Sequence, residues 1–122
     1  MANAINWFEI PANDLKRACS FYKQVLDLEV HTHEVMGTEM GFLHNGQDGV
    51  GGALVKGEGY KPSADGALVY LNGGEDLSKP LAKVETAGGK VVLPKTKISD
   101  EIGYMAIFMD PEGNKVAFHS PN

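Results

Sequence analysis

Cysteine is nearly absent: the 122-residue chain carries one, Cys19. A lone thiol cannot close an internal disulfide, so no disulfide framework staples this fold. No motif ties Cys19 to a histidine. Between Ala18 and Tyr22 it reads as a small apolar packing residue rather than a nucleophile. Clustered positive charge is also missing. Lys79, Lys83, Lys90, Lys95 and Lys97 stand singly, and 11 basic against 16 acidic residues leave a formal charge of -5. A nucleic-acid backbone wants a concentrated basic face, so that partner class is excluded. No apolar run approaches the length of a bilayer span, so no membrane partner is expected. The opening Met1-Ala2-Asn3-Ala4-Ile5-Asn6 lacks the basic and apolar portions of a secretory signal, and a cytoplasmic location is the expectation. There is neither a lysine-bearing phosphate loop nor a serine nucleophile elbow.

What is present suits one globular domain over residues 1–122, with 43% apolar and 22% charged residues. Fifteen glycines punctuate the chain between apolar runs, as turn residues do. Ile5 to Ile10, closed by Pro11, predicts a strand, and Asn13 or Asp14 can cap the helix that follows. Leu15, Ala18, Cys19, Tyr22, Val25 and Leu26 recur at helical spacing. Strands are expected at Leu28 to Val35, Met40 to His44 and Val50 to Val55, with a hairpin turn at Asn45-Gly46-Gln47-Asp48-Gly49. The order then repeats. A strand is expected at Ala67 to Leu71. A helix capped by Asp76 or Ser78 carries Leu81, Val84 and Ala87 and ends at Gly88-Gly89. Val91-Val92-Leu93 is a strand, and Tyr104 to Met109 and Lys115 to His119 form a hairpin across Asp110-Pro111-Glu112-Gly113-Asn114.

The pattern is βαβββ twice, at residues 4–56 and 66–120, joined by a connector. Leu15 matches Leu77, Val30 matches Val91, and Asp48-Gly49 matches Glu112-Gly113. The fold class is therefore α+β, two βαβββ modules forming an incomplete barrel around a cavity, since a sheet with one helix-covered face leaves the other to be closed.

Two stretches carry a resemblance across nearly the whole chain. One is Glu9-Ile10-Pro11 running into Asp14-Leu15-Lys16-Arg17-Ala18 and Phe21-Tyr22, and the other is Asp110-Pro111-Glu112-Gly113-Asn114 before the last strand. With the βαβββ repeat they resemble the vicinal oxygen chelate superfamily, which holds glyoxalase I, bleomycin-resistance proteins and extradiol dioxygenases. That resemblance implies a metal ligand from the first and last strand of each module. The pattern His-x-Glu-x-Pro falls on Trp7-Phe8-Glu9-Ile10-Pro11, so the first slot holds Trp7. The others fall at or beside Ala53, Leu68 and Ala117. Indole, methyl and isobutyl groups offer a metal no lone pair, so no metal and no cofactor are expected at those positions. The resemblance also implies a homodimer, in which small members cover their cavities.

Strand alternation puts Ile5, Trp7 and Glu9 on the cavity face, with Phe8 and Ile10 under the helix. Ala117 and His119 share the inner face of the last strand, and Leu68, Tyr70 and Asn72 another. Gly51, Ala53 and Val55 form a wall of little bulk. The expected pocket is an apolar bowl lined by Trp7, Ala53, Leu68 and Ala117, with Glu9, Tyr70, Asn72 and His119 as polar points. Trp7 reads as core filler or as stacking wall. Glu9 reads as a satisfied or rim carboxylate or, if buried beside Trp7, as a base. His31-Thr32-His33, with His44 nearby, reads as a solvated strand face able to hold metal adventitiously. Two function classes follow. One is a metal-free protein sequestering an aromatic or cationic small molecule, which the acidic charge would attract. The other is a glyoxalase-like lyase or isomerase using Glu9, His119 or Tyr70 in acid-base roles or as substitute ligands.

Overall fold

The computed structural model describes residues 3–43 and 49–122. The first module runs β1 (Trp7–Pro11), α1 (Leu15–Leu26), β2 (Val30–Val35), β3 (Thr38–Leu43) and β4 (Gly51–Lys56). The second runs β5 (Tyr70–Asn72), α2 (Ser78–Leu81), β6 (Lys90–Ser99), β7 (Gly103–Met109) and β8 (Lys115–Ser120). Each folds into a four-stranded sheet, β1-β4-β3-β2 and β5-β8-β7-β6. In both, the first strand pairs parallel with the last, and the two middle strands pair antiparallel. The duplicated βαβββ order read from the sequence is the order observed. The expected turn at 45–49 and His44 lie outside the described residues, apart from Gly49.

α1 starts where Asp14, extended at φ -125, accepts a hydrogen bond from the Arg17 backbone N–H at 3.1 Å. It stops at Asp27, which turns left-handed at φ 53. Its buried stripe is Leu15, Ala18, Phe21, Tyr22 and Val25. Phe21, absent from the expected stripe, is the correction. Its ring meets Tyr22 edge-on at 4.8 Å and lies 5.8 Å from Phe108 of the other module. Cys19 sits half-buried at the stripe's edge, and burial pushes its thiol pKa up. A Cβ at Gly41 would come 2.5 Å from the Cys19 Sγ, so glycine there lets the helix lie close on β3.

The second module departs from expectation in three places. α2 is α-helical only over Ser78–Leu81, and 82–88 continue as turns. Lys83 and Val84 donate to the carbonyls of Pro80 and Leu81, three residues back, a tightened geometry that propagates poorly. Leu77 and Val84 are buried all the same. β5 begins at Tyr70 rather than Ala67, although the Val69 carbonyl still accepts from Ala117 N–H at 2.9 Å. β6 runs on to Ser99, past Pro94, which an edge strand tolerates because it needs no inward N–H there. Its pairing with β7 shifts register three times.

The modules are locked by polar groups as well as by the shared aromatic core. The hairpin Asp110-Pro111-Glu112-Gly113-Asn114 reaches back to the entrance of α1. Glu112 Oε1 accepts from the Asn13 and Asp14 backbone N–H groups, both at 2.8 Å, while Oε2 pairs with Arg17. Asp110 Oδ2 accepts from the Tyr22 hydroxyl at 2.7 Å and from Asn114 Nδ2 at 3.0 Å. Its Oδ1 accepts from the backbone N–H groups of Glu112 and Asn114, both at 2.9 Å. Asn114 Nδ2 also donates to the Pro11 carbonyl at 2.8 Å. Among the described residues no buried side-chain nitrogen or oxygen lacks a partner. Burial opposes ionising Glu112, yet the hydrogen bonds from Arg17, Asp14 and Asn13 hold its pKa below the ordinary 4.5. Desolvation first, then the Asp110 charge, pushes the Tyr22 hydroxyl well above 10.0. Among the described residues no helix is long and apolar enough to cross a membrane.

Candidate functional site

Register assigns each sheet a helix face and an open face. In the first sheet Trp7 lies beside Gly51, Glu9 beside Ala53, Ala53 beside Phe42, and Phe42 beside His31. Neighbours in register share a face, so Trp7, Glu9, Ala53, Val55, Met40, Phe42, His31 and His33 stand together. Ile10, Gly41 and Leu54 stand on the helix side. In the second sheet Tyr70 pairs with Ala117 and Asn72 with His119, opposite to Leu71 and Phe118, which are core. The predicted partition of faces therefore holds for β1, β4, β5 and β8. Leu68 lies outside any strand.

Large groups on these faces are open to solvent. Trp7 is 44% exposed and Tyr70 48%, and Glu9 is exposed as well. Ala53 and Ala117 on the same faces are 0% exposed. Trp7 is not core filler. Its ring lies 6.0 Å from Phe42, which in turn lies 5.4 Å from His33, so indole, phenyl and imidazole form a row across β1, β3 and β2. The sequence reads His33 as part of a solvated strand face. It is exposed, but it belongs to this row.

The polar points are held individually. Tyr60, in the connector, donates its hydroxyl to Glu9 Oε1 at 3.1 Å, and that bond with the Glu9 charge raises the Tyr60 pKa above 10.0. Tyr60 is the residue that the sequence reading missed, because a connector has no periodicity to assign its side chains. His119 Nε2 lies 2.6 Å from the Ile102 carbonyl, which can only accept, so this nitrogen carries the proton and Nδ1 is the free lone pair. The Tyr70 hydroxyl lies 3.9 Å from Met105 Sδ, and Asn72 Oδ1 accepts from Gly74 N–H at 2.8 Å. The first sheet thus gathers Trp7, Glu9 and Ala53, and the second Tyr70, Asn72, Ala117 and His119.

The side chains at the four positions that the resemblance marks, Trp7, Ala53, Leu68 and Ala117, carry no lone pair for a metal. Tyr60 engages Glu9 at Oε1 and the Ile102 carbonyl engages His119 at Nε2. Among the described residues no three His, Cys, Asp or Glu side chains gather into a metal-holding group.

A hollow of about 590 Å³ lies elsewhere, at the seam between the modules on the helix side. It is lined by Phe8, Leu43, the C-terminal end of α1, the end of β5 and the start of α2. Of the eight expected ligand-binding residues only Asn72 borders it. The hollow lies on the other side of β1 from Trp7 and Glu9, because β1 sends alternate side chains to opposite sides: Trp7 and Glu9 one way, Phe8 the other.

Two like-ordered four-stranded sheets from two βαβββ modules define a paired-module α+β fold. Residues 4–118 match the Glyoxalase/Bleomycin resistance protein/Dioxygenase superfamily, and the chain belongs to it. A search of the curated proteins returns no match. Solved structures share the fold at low identity. A glyoxylase/bleomycin resistance protein/dioxygenase domain from Frankia sp. EAN1pec aligns with TM-score 0.74 and 14% identity over 100% of both chains. The trypanothione-dependent glyoxalase I of Leishmania major aligns with TM-score 0.69 and 19% identity over 98% of this chain and 88% of that one. Glyoxalase I from Zea mays aligns with TM-score 0.71 and 20% identity over 94% of this chain. That enzyme is longer, and only 45% of it is spanned.

Proposed function

We propose that this protein binds a flat aromatic or cationic small molecule on its open sheet faces, with no metal at the family position. The observation that carries this reading is the content of the four slots, Trp7, Ala53, Leu68 and Ala117. The exposed indole of Trp7 offers a stacking surface, while Ala53 and Ala117 are fully buried and bring no donor to it. Tyr70 adds a second ring, and the net charge of -5 draws a cation toward the site. The half-exposed rings favour a working homodimer whose second chain covers the face, and light scattering would then give twice 13.1 kDa.

The Tyr60–Glu9 hydrogen bond supports a second reading, a glyoxalase-like lyase or isomerase. A carboxylate with a phenol beside it can take up a proton at Oε2 and return it, and the free Nδ1 of His119 can do the same. Elemental analysis of tag-free protein separates the two readings. Binding without metal predicts only traces of zinc, nickel, iron and manganese. Near-stoichiometric metal lost in Glu9→Ala or His119→Ala overturns the binding reading in favour of the enzyme.

A further inference from the structure

We infer that the open face of the second sheet carries a site for a soft monovalent cation, copper(I), with His119 and Met105 as its ligands. β5 and β7 flank β8 in that sheet. Met105 stands opposite His119 in the β7–β8 register, and Tyr70 stands beside Ala117 in the β5–β8 register. These side chains share one face. The Tyr70 hydroxyl lies 3.9 Å from Met105 Sδ. A contact between β5 and β7 closes only across β8, so Met105 leans over that strand and carries its sulfur above Ala117 and His119. Ala117, beneath that contact, is 0% exposed. The position that the family resemblance marks on β8 thus adds only a methyl, and the donors come from its neighbours.

The histidine is prepared from its far side. Nε2 donates to the Ile102 carbonyl at 2.6 Å, so the lone pair is on Nδ1, the ring nitrogen nearer the β8 backbone. A remote N–H fixed on a carbonyl is the arrangement that orients a ligand histidine and raises its basicity. The thioether accepts from the phenol through one sulfur lone pair and keeps the other. Softness then selects the ion, because a thioether and a neutral imidazole suit copper(I). Charge selects it too. The register row Asn72, His119, Met105 and Thr96 carries no carboxylate, so a divalent ion would bring two uncompensated charges and copper(I) brings one. His119 and Met105 are half-buried and Tyr70 is 48% exposed, so the ion has a path in. The net charge of -5 draws it there.

The test titrates the whole protein with copper(I) under nitrogen, buffered by the chelator bicinchoninate and followed by NMR of methionine methyl and histidine ring signals. Copper(I) is expected to shift the Met105 methyl and the His119 ring together, saturating at one equivalent. The Met36 methyl, on a side chain 99% exposed, is the control thioether and should stay in place. Zinc at the same concentration should leave both site signals unmoved. Met105→Leu and His119→Gln are each expected to lose about tenfold or more in copper(I) affinity, with the melting temperature unchanged. Half-buried Cys19 is the competing soft donor, so the titration is repeated in Cys19→Ser, where the Met105 shift should persist. A Met105 methyl that moves no further than Met36, copper(I) binding lost in Cys19→Ser, zinc shifting both signals equally, or unaltered affinity in Met105→Leu would each overturn the inference. Its failure leaves the binding proposed at Trp7 intact, since that rests on the first sheet.

Discussion

The molecule contains one chemical pair twice. Tyr22 donates to Asp110 at 2.7 Å in the buried junction between the modules, and Tyr60 donates to Glu9 at 3.1 Å on the open face of the first sheet. Both tyrosines are pushed above their ordinary pKa, for different leading reasons. Desolvation dominates at Tyr22, and the hydrogen bond that the hydroxyl donates to the carboxylate dominates at Tyr60. At the junction each lone pair of Asp110 is matched by a fixed donor, so loss of one member strands the others away from water. On the open face water can replace either partner at little cost, which keeps Glu9 and Tyr60 available to a ligand. The same groups act as a lock where they are dry and stay open to solvent where they are wet.

The strongest way to break this contrast is Asp110→Ala. It leaves the Tyr22 hydroxyl, Asn114 Nδ2 and two backbone N–H groups without their acceptor, at roughly 1–3 kcal/mol for each group that stays dry. A total loss of about 3–5 kcal/mol is expected in urea denaturation, enough to unfold much of a marginally stable domain.

Glu112→Gln should cost less, about 1–2 kcal/mol, because an amide oxygen in place of Oε1 still accepts both α1 backbone hydrogen bonds while the Arg17 pair is lost. It also carries a pH signature. The folded-state pKa of Glu112 is depressed, so its contribution is fully present above the ordinary 4.5 and is lost as pH falls through the folded value. The parent should therefore lose stability on acidification below 4.5 more steeply than the Gln variant in paired melts across that range. Parallel slopes would show that Glu112 is not the group responsible.

Trp7→Ala lies on the wet side of the contrast. It should change stability by about 0.5 kcal/mol or less while weakening an aromatic ligand by about 0.5–1.5 kcal/mol, read by calorimetry. Trp7 is the single tryptophan in the chain, so its emission in the parent reports on the open face alone. The smallest effect is expected for Glu9→Gln. Removing the carboxylate charge should let Tyr60 ionise at lower pH in an ultraviolet titration, with the melting temperature unmoved. A destabilised Glu9→Gln protein would erase the distinction between lock and site.

Legibility followed the range of the interactions. The element order and the faces of β1, β4 and β8 came from alternation and turn residues, which are local properties. Phe21 was missed because the expected stripe stepped from Ala18 and Cys19 to Tyr22, while the helix buries both ring positions, one of them toward the other module's Phe108. β6 was cut short at Leu93 because Pro94 reads as a stop, and only its place at a sheet edge makes the proline harmless. Tyr60 was invisible, since connector residues 57–69 carry no period. The hairpin Asp110–Asn114 was recognised as a turn, but its second task, closing the entrance of α1, spans 98 residues from Glu112 to Asp14.

Sequence alone therefore determined the duplicated βαβββ order and the α1 cap and the 110–114 turn that help delimit it. Each of these depends on neighbours a few residues away or on the chemistry of a single side chain. Tertiary structure decided which carboxylate became a lock and which stayed open to solvent. It also set Trp7 at 44% exposure and turned Phe8, its chain neighbour, into the hollow on the other side of β1. Those outcomes depend on desolvation and on contacts between residues distant along the chain, and neither quantity exists until the two modules are packed together.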